Sequence, residues 1–383
     1  MSESIVDRAK HWSGRLPQWS EQFEVERKLS EGIAAEFARA GFFRMLVPKV
    51  YGGLQVHPLE FIEVLKLLAI GDGSASWNAM IGSTTGLLSA SLPEAGAMEI
   101  YAADPEVLTV GVTAPAGRAD RIEGGFHVTG RWPFGSGSQN AQWISGGCFV
   151  YEEGEPVLNS KGQPEVRFMM FPSEQVTIED TWDVVGLRGT GSHHFGVNEV
   201  FVPEHHSVIS GVRASIAEPL YQFPLLGLLA LGVASVALGT GYRALEEFIQ
   251  LAVNKQPTGG SRTLAERAAV QSSVARSTAD LRSAEALMKE AVVDAWYYAE
   301  RGERLTEELK SSLRLAAVNG THSAVAAVDR LYDAAGGSAI YKENVLQRCF
   351  RDVHVTTQHI MVGSPIYEVV GRVQLGLPAR SML

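Results

Sequence analysis

Residues 348–359 read RCFRDVHVTTQH, and what this stretch folds into decides how the rest of the chain is organised. Arg348 and Asp352 are four apart, so on one helix they share a face and can pair. His359 stands seven beyond Asp352, about two turns further along that face. The spacing predicts a buried helix over residues 343–362, carrying a group that titrates near neutral pH beside an ion pair. Taken alone, His359 also reads as a core histidine satisfied by a backbone carbonyl. A long, sparsely charged helical region precedes the stretch, and a tail with Tyr367, Glu368 and Gly371 follows it.

The whole chain has 383 residues, which suggests two or three domains. Hydrophobic residues make up 45% and charged residues 20%, as in a soluble globular protein. A net charge of −10 argues against nucleic acid as a partner, although local arginines can still hold a phosphate. Cys148 and Cys349 lie far apart without metal-type spacing, and read as free thiols of a reducing, cytoplasmic compartment. The N-terminal MSESIVDRAKHW has no apolar segment of the signal-peptide kind. Residues 219–242 carry no charge and are long enough to span a membrane. Pro224, several glycines and the charged continuation at 243–249 make a fully buried helix the better reading.

In chain order, residues 1–105 read as an N-terminal helical domain, with helices at 21–40, 58–70, 76–91 and 94–101. Residues 106–210 read as a central antiparallel β-domain, with short strands at 108–113, 121–129, 142–151, 166–171 and 195–201. Gly124–Gly125 and Gly146–Gly147 mark turns or kinks. Residues 211–383 return to helix at 220–253, 264–301, 306–336 and 343–362, where Glu285 and Lys289 read as a solvated pair. Strands gathered in one block give an α+β, mainly α fold rather than an alternating parallel sheet. No G-x-G-x-x-G joins a strand to a helix, so a nicotinamide-binding Rossmann unit is not expected.

Three further stretches carry candidate chemistry. In GRWPFGSGSQNAQW (130–143), Trp132 offers a flat face, while Ser136 and Ser138 stand between glycines that let backbone approach a ligand. That set suits a flat heteroaromatic with polar edges, such as a flavin; a decorated β-turn is the plain alternative. In DVVGLRGTGSHHFGVNEVFV (183–202), Arg188, Thr190 and Ser192 suit a charged or polar ligand group, or else a tight interstrand loop. In YDAAGGSAI (332–340), Gly336–Gly337 caps a helix, or lets the ligand of a neighbouring subunit lie against the backbone. His193–His194 and His205–His206 look like metal pairs, but adjacent residues on a strand point to opposite faces, and no metal site is expected.

These stretches, together with GFFRMLVPKVYGG (41–53) and AGGSAIYKENVLQRCFRD (335–352), resemble the signatures of the acyl-CoA dehydrogenase superfamily over about residues 25–376. The resemblance implies an N-terminal helical domain, a central β-domain and a C-terminal four-helix bundle, with flavin between the last two, in a homotetramer. Superfamily dehydrogenases place a carboxylate base some residues after the Arg-Asp pair; at roughly that distance this chain has His359, while Glu368 comes later. The tryptophan–serine loop and RDVHVTTQH…YEVVGRVQLG are closer to the flavin-dependent monooxygenase branch. Its members include oxygenase components of two-component aromatic hydroxylases, which receive reduced FAD or FMN from a separate NAD(P)H-flavin reductase. They hydroxylate phenol- or indole-type rings with O2 through a C4a-hydroperoxyflavin.

Carried onto this sequence, the resemblance puts Trp132, Ser136 and Ser138 at the flavin ring, with Arg188, Thr190 and Ser192 at its polar parts. It puts Arg262 near a flavin phosphate and Gly336–Gly337 against a neighbouring subunit's flavin. His359, with Ser136, is the expected catalytic or substrate-orienting group. Some members carry another histidine before the tryptophan loop, where this chain has residues 112–117, so substrate identity stays open. Trp77, Asn78 and Thr113 are candidate pocket residues or structural ones. The alternative readings are an FAD-dependent acyl-CoA dehydrogenase using Glu368, and a flavin-free binding protein on the same fold.

Overall fold

In the computed structural model, which describes residues 3–212, 214–257 and 259–381, six helices precede the strands: α1 (Ile5–Arg15), α2 (Ser20–Glu26), α3 (Glu31–Ala40), α4 (Pro58–Gly71), α5 (Gly73–Gly86) and α6 (Glu94–Ala97). A single helix over 21–40 is not formed. Arg27 takes a left-handed φ of 55° and ends α2, and its guanidinium pairs with Asp180 of a later loop at 2.8 Å. Gly41 closes α3 with a φ of 88°, the expected stop. His57 and Glu60 start α4 with a reciprocal capping box.

The strands are β1 (Thr109–Ile122), β2 (Gly125–Gly135), β3 (Trp143–Glu152), β4 (Glu155–Pro156), β5 (Val166–Pro172), β6 (Thr177–Glu179), β7 (His193–Pro203) and β8 (Ser207–Ile209). They form one sheet in the order β6-β7-β2-β1-β3-β5-β8, with β4 paired to β3. Neighbours run antiparallel except β1 and β3, which are parallel, so the sheet is mixed where antiparallel pairing alone was expected. The strand read at 121–129 is instead a hairpin corner, because Gly124 adopts a φ of 81° between β1 and β2. Gly146–Gly147 is no turn either; it lies inside β3. A Cβ on Gly146 would come 2.6 Å from the Trp132 indole, whose Nε1–H donates to Gly147 O at 2.8 Å. Those glycines make room for a ring.

After the sheet come α7 (Pro219–Gln222), α8 (Leu225–Asn254), α9 (Ala268–Glu300), α10 (Glu307–Ala335), α11 (Val345–Thr356) and α12 (Pro365–Gln374). Pro224 separates α7 from α8, which the sequence pattern had joined. α8 is long and apolar enough to cross a membrane, yet 78% of its most apolar window is buried within the protein. It packs against α4, α10 and α11, while α9 lies on α10, which makes a C-terminal bundle around a core helix.

Glu285 is not a simple surface partner of Lys289. Its carboxylate takes Lys289 at 2.6 Å, Lys66 of α4 at 2.8 Å and the Tyr242 hydroxyl of α8 at 2.7 Å. Burial pushes its pKa up, but the bonds to Lys289, Lys66 and Tyr242 outweigh burial and hold it down at about 2. A depressed carboxylate adds stability above its unfolded pKa and loses it as pH falls through the folded value. Glu285→Gln is expected to cost about 1–3 kcal/mol in denaturant unfolding at pH 7. The gap from the parent protein should close as the pH is lowered from about 5 toward 2.

Candidate functional site

The site is held where four parts of the chain meet. Asp352 of α11 does not pair with Arg348; its Oδ1 accepts the Leu187 backbone N–H at 2.6 Å. Arg348 and Arg351 turn instead to Glu24 of α2, at 3.2 and 2.7 Å. Arg351 also donates to Val185 O at 2.5 Å. Asp72, at the start of α5, accepts from Ser20 Oγ at 2.6 Å and Ala75 N at 2.9 Å. Burial pushes both carboxyls up, that of Asp352 to about 7, with Asp72 and Glu24 adding to the rise. Gly186 fits against α11 only because it lacks a Cβ, which would come 2.5 Å from Arg351 backbone atoms.

This knot fixes the loop 186–192 against β2, and there the polar residues line up. Thr190 Oγ1 donates to Leu187 O at 2.8 Å, so its proton is committed. The 2.7 Å contact between Thr190 and Ser192 hydroxyls must therefore run from Ser192, and the 2.7 Å contact between Ser192 and Ser136 from Ser136. Trp77 Nε1–H completes the chain by donating to Ser136 Oγ at 3.1 Å. The proton order is one-way, and Ser136 is left with an acceptor lone pair only. Ser138 Oγ is buried with no hydrogen-bond partner, an unmet polar atom among the described residues. Between them Gly137 has a φ of 75°, and a Cβ there would meet Asn78 Oδ1 at 2.8 Å.

The same Trp77 ring meets His359 edge-on, 5.6 Å between centroids at 73°. His359 is not on α11, which ends at Thr356, but in the following turn. The hydroxyls of Thr356 and Thr357 bond the carbonyls of Val353 and His354, at 2.6 and 2.7 Å, and compete with helix continuation. The half-buried His359 ring accepts Met361 N–H on Nδ1 at 3.3 Å, which places the hydrogen of neutral imidazole on Nε2. Burial, then the positive charge of Arg314, pulls its pKa down to about 4. Arg314, a buried residue of α10, donates to Met361 O at 3.2 Å. No local pattern pointed to it, because an arginine in a long helix reads as solvated.

Other candidates lie apart. Trp132 presents no surface at all: it is 0% exposed, stacked on Phe195 at 5.2 Å inside the sheet's core. Phe134, two residues on, is 64% exposed at a φ of 64°. That left-handed residue breaks the strand alternation that would set both rings on one face. Arg188 is occupied by Glu24 O at 3.1 Å, Val184 O at 2.6 Å and Asp183 at 3.0 Å, which makes it a brace of the loop. Asn78 is buried and bonded to Ser74 O and Gly189 O; Thr113 is exposed in the irregular middle of β1. Arg262 is exposed between α8 and α9, and Gly336–Gly337 is exposed at the end of α10, with open space where side chains would be. Lys255 Nζ joins these two regions through Ala335 O at 2.9 Å. Glu368 is exposed on α12.

Hydroxyls aligned by a buried chain, one buried hydroxyl without a partner and a glycine cradle fit the polar edge of a flat heteroaromatic such as a flavin. Residues 231–364 match the family model described as acyl-CoA dehydrogenase, C-terminal domain. The chain is 32% identical to indole-3-acetate monooxygenase of Pseudomonas putida over 93% of this chain and 89% of that protein. It is 28% identical to the oxygenase component of an FADH2-dependent resorcinol hydroxylase of Rhizobium sp., over 93% and 90%. Among solved structures it superposes on XiaF from Streptomyces sp., in complex with FADH2 and glycerol, with a TM-score of 0.91, 25% identity and coverage of 99% and 96%. On the HsaA monooxygenase of Mycobacterium tuberculosis the TM-score is 0.88, with 27% identity and coverage of 98% and 97%. The fold is that of the acyl-CoA dehydrogenases. Within that superfamily, the chain belongs to the flavin-dependent monooxygenases.

The two kinds of hydroxyl are separable. Ser138→Ala removes an unbonded group and should leave urea-unfolding stability within about 0.5 kcal/mol. Thr190→Val leaves the buried Ser192 hydroxyl without its acceptor and should cost about 1–3 kcal/mol in the same measurement.

Proposed function

We propose that this chain is the oxygenase component of a two-component system. It hydroxylates a small phenol- or indole-type ring with O2, using reduced FAD or FMN delivered by a separate NAD(P)H-flavin reductase in the cytoplasm. The observation that carries the reading is Trp77, which bonds Ser136 through its indole N–H and meets His359 with its ring, so both expected catalytic residues border one site. The relatives named above, which act as monooxygenases or hydroxylases, support the class of reaction.

In this reading Ser136, Ser138 and Ser192 hold the polar edge of the flavin, and Phe134 is the exposed ring of the loop in place of Trp132. Reduced flavin supplies the electrons that activate O2. His359 keeps a hydrogen on Nε2 and stays neutral across physiological pH. It serves as a donor that orients an oxygen of the substrate rather than as a proton-abstracting base. The exposed Arg262 approaches a flavin phosphate, and Gly336–Gly337 lies against a neighbouring subunit's flavin in a homotetramer.

His359→Ala is expected to lower product formation about 10²-fold with chemically reduced flavin, O2 and a panel of phenols and indoles. His359→Gln, which retains a donor, should recover part of that loss, and flavin affinity should change little in either. Because the ring titrates at about 4, product yield should stay flat from about pH 8 to about pH 5. A fall near 6.5, or near-normal turnover in the alanine variant, returns His359 to a packing role.

Ser136 can only accept, and a reduced flavin ring carries N–H where the oxidised ring has a lone pair. Anaerobic titration should therefore show reduced flavin binding at least about tenfold tighter than oxidised, or 1.4 kcal/mol. In Ser136→Ala that ratio should shrink toward one. An unchanged ratio in the variant would remove Ser136 from cofactor selection.

A further inference from the structure

We propose that Glu99, His205 and His206 form a binding site for a divalent transition-metal cation of the Zn2+ class, sharing no residue with the Ser136–His359 site. Glu99 lies on a π-helical turn (Met98–Ala102) that continues α6, and the histidines on a 3-10 turn (Glu204–His206) between β7 and β8. That turn removes the objection that adjacent histidines on a strand diverge: here both rings fall on one side, 4.5 Å apart. The Nε2 atoms of His205 and His206 converge on one oxygen, Glu99 Oε2, at 3.4 and 3.0 Å. All three potential ligand atoms lie within 4.8 Å of one another. Ligand atoms around a tetrahedral zinc, with bonds near 2.05 Å, sit about 3.3 Å apart, a spacing that the two histidine–Glu99 separations already have.

The platform is set by packing. Gly96 of α6 touches the histidine turn so closely that a Cβ would come 1.9 Å from His205 O. His206 is buried and held edge-on by Trp143 at 5.0 Å. A cavity of about 490 Å³ opens alongside, lined by Glu99, His206, Trp143, Gln142 and Glu174, with room for water or a further oxygen ligand. Two imidazoles and a carboxylate favour zinc, nickel or copper over the oxygen-seeking magnesium and calcium. Such an ion clips the helices before the sheet to its last turn, and stabilises the fold by binding the native state.

The test is calorimetric titration of the full chain, stripped of metal, with ZnCl2, alongside thermal melting. One ion per chain with a Kd in the micromolar range and a melting temperature raised by a few degrees are expected. His205→Ala and Glu99→Gln change a half-buried and an exposed side chain and should weaken binding about tenfold or more. Co2+ in place of zinc gives a readout independent of melting: visible absorption bands in the parent protein that are lost in Glu99→Gln. No saturable binding below about 1 mM, or unchanged zinc affinity in His205→Ala, or unaltered Co2+ bands in Glu99→Gln, overturns the site.

Discussion

The hydrogen bond from the Leu187 amide to the buried Asp352 carboxylate, 2.6 Å long, is the constraint on which the site's geometry depends. One end belongs to α11, whose last turn releases the chain toward His359. The other belongs to the loop whose Thr190 and Ser192 orient Ser136. Around it Glu24 takes Arg348 and Arg351, and Asp72 starts α5, which carries Trp77. Four segments remote in sequence are thereby held in register by a few polar contacts in a dry place, where each unmet group would be costly. Because burial holds Asp352 near neutrality, its contribution is greatest when it is protonated, below its ordinary carboxylate range, and declines as pH rises through about 7.

Much of this was legible in the sequence, for reasons that can be stated. The order of helices, strands and helices followed from periodicity and glycine punctuation, and the hydroxyl residues of 136–138 and 190–192 stood out because small polar groups between glycines have few packing roles. What failed was whatever depends on through-space partners. Arg348 and Asp352 have the spacing of a pair, but each found a better partner across the fold, in Glu24 and Leu187. Trp132 has the flat ring a ligand platform needs, but nothing local shows that the ring is fully buried in the sheet's core while Phe134, at a positive φ, is the one left exposed. The run to His359 kept its helical texture on paper, while two threonine side chains bonding their own helix's carbonyls ended the helix early. Arg314 left no trace, since nothing in its neighbours distinguishes a guanidinium that will be buried from one that will be wet.

The polar chain running from Trp77 through Ser136, Ser192 and Thr190 to Leu187 O has a property that its members lack separately. A lone serine presents donor and acceptor alike and discriminates little between ligands. Here Thr190 spends its proton on a carbonyl at 2.8 Å, which forces the direction of each bond upstream. A carbonyl on one side of the site therefore sets what a hydroxyl on the other side can offer.

The ion pair between Arg351 and Glu24 joins residues 327 positions apart. On a ribosome making roughly 5–20 residues per second, Glu24 emerges on the order of 15–65 seconds before its partner exists. During synthesis α4 can pack on α8 once that helix has emerged, but the pocket stays unmade until α11 and the turn after it arrive. A nascent chain of this protein thus has no competent half-built form, and any message cut short before α11 yields a product with neither the brace nor the imidazole.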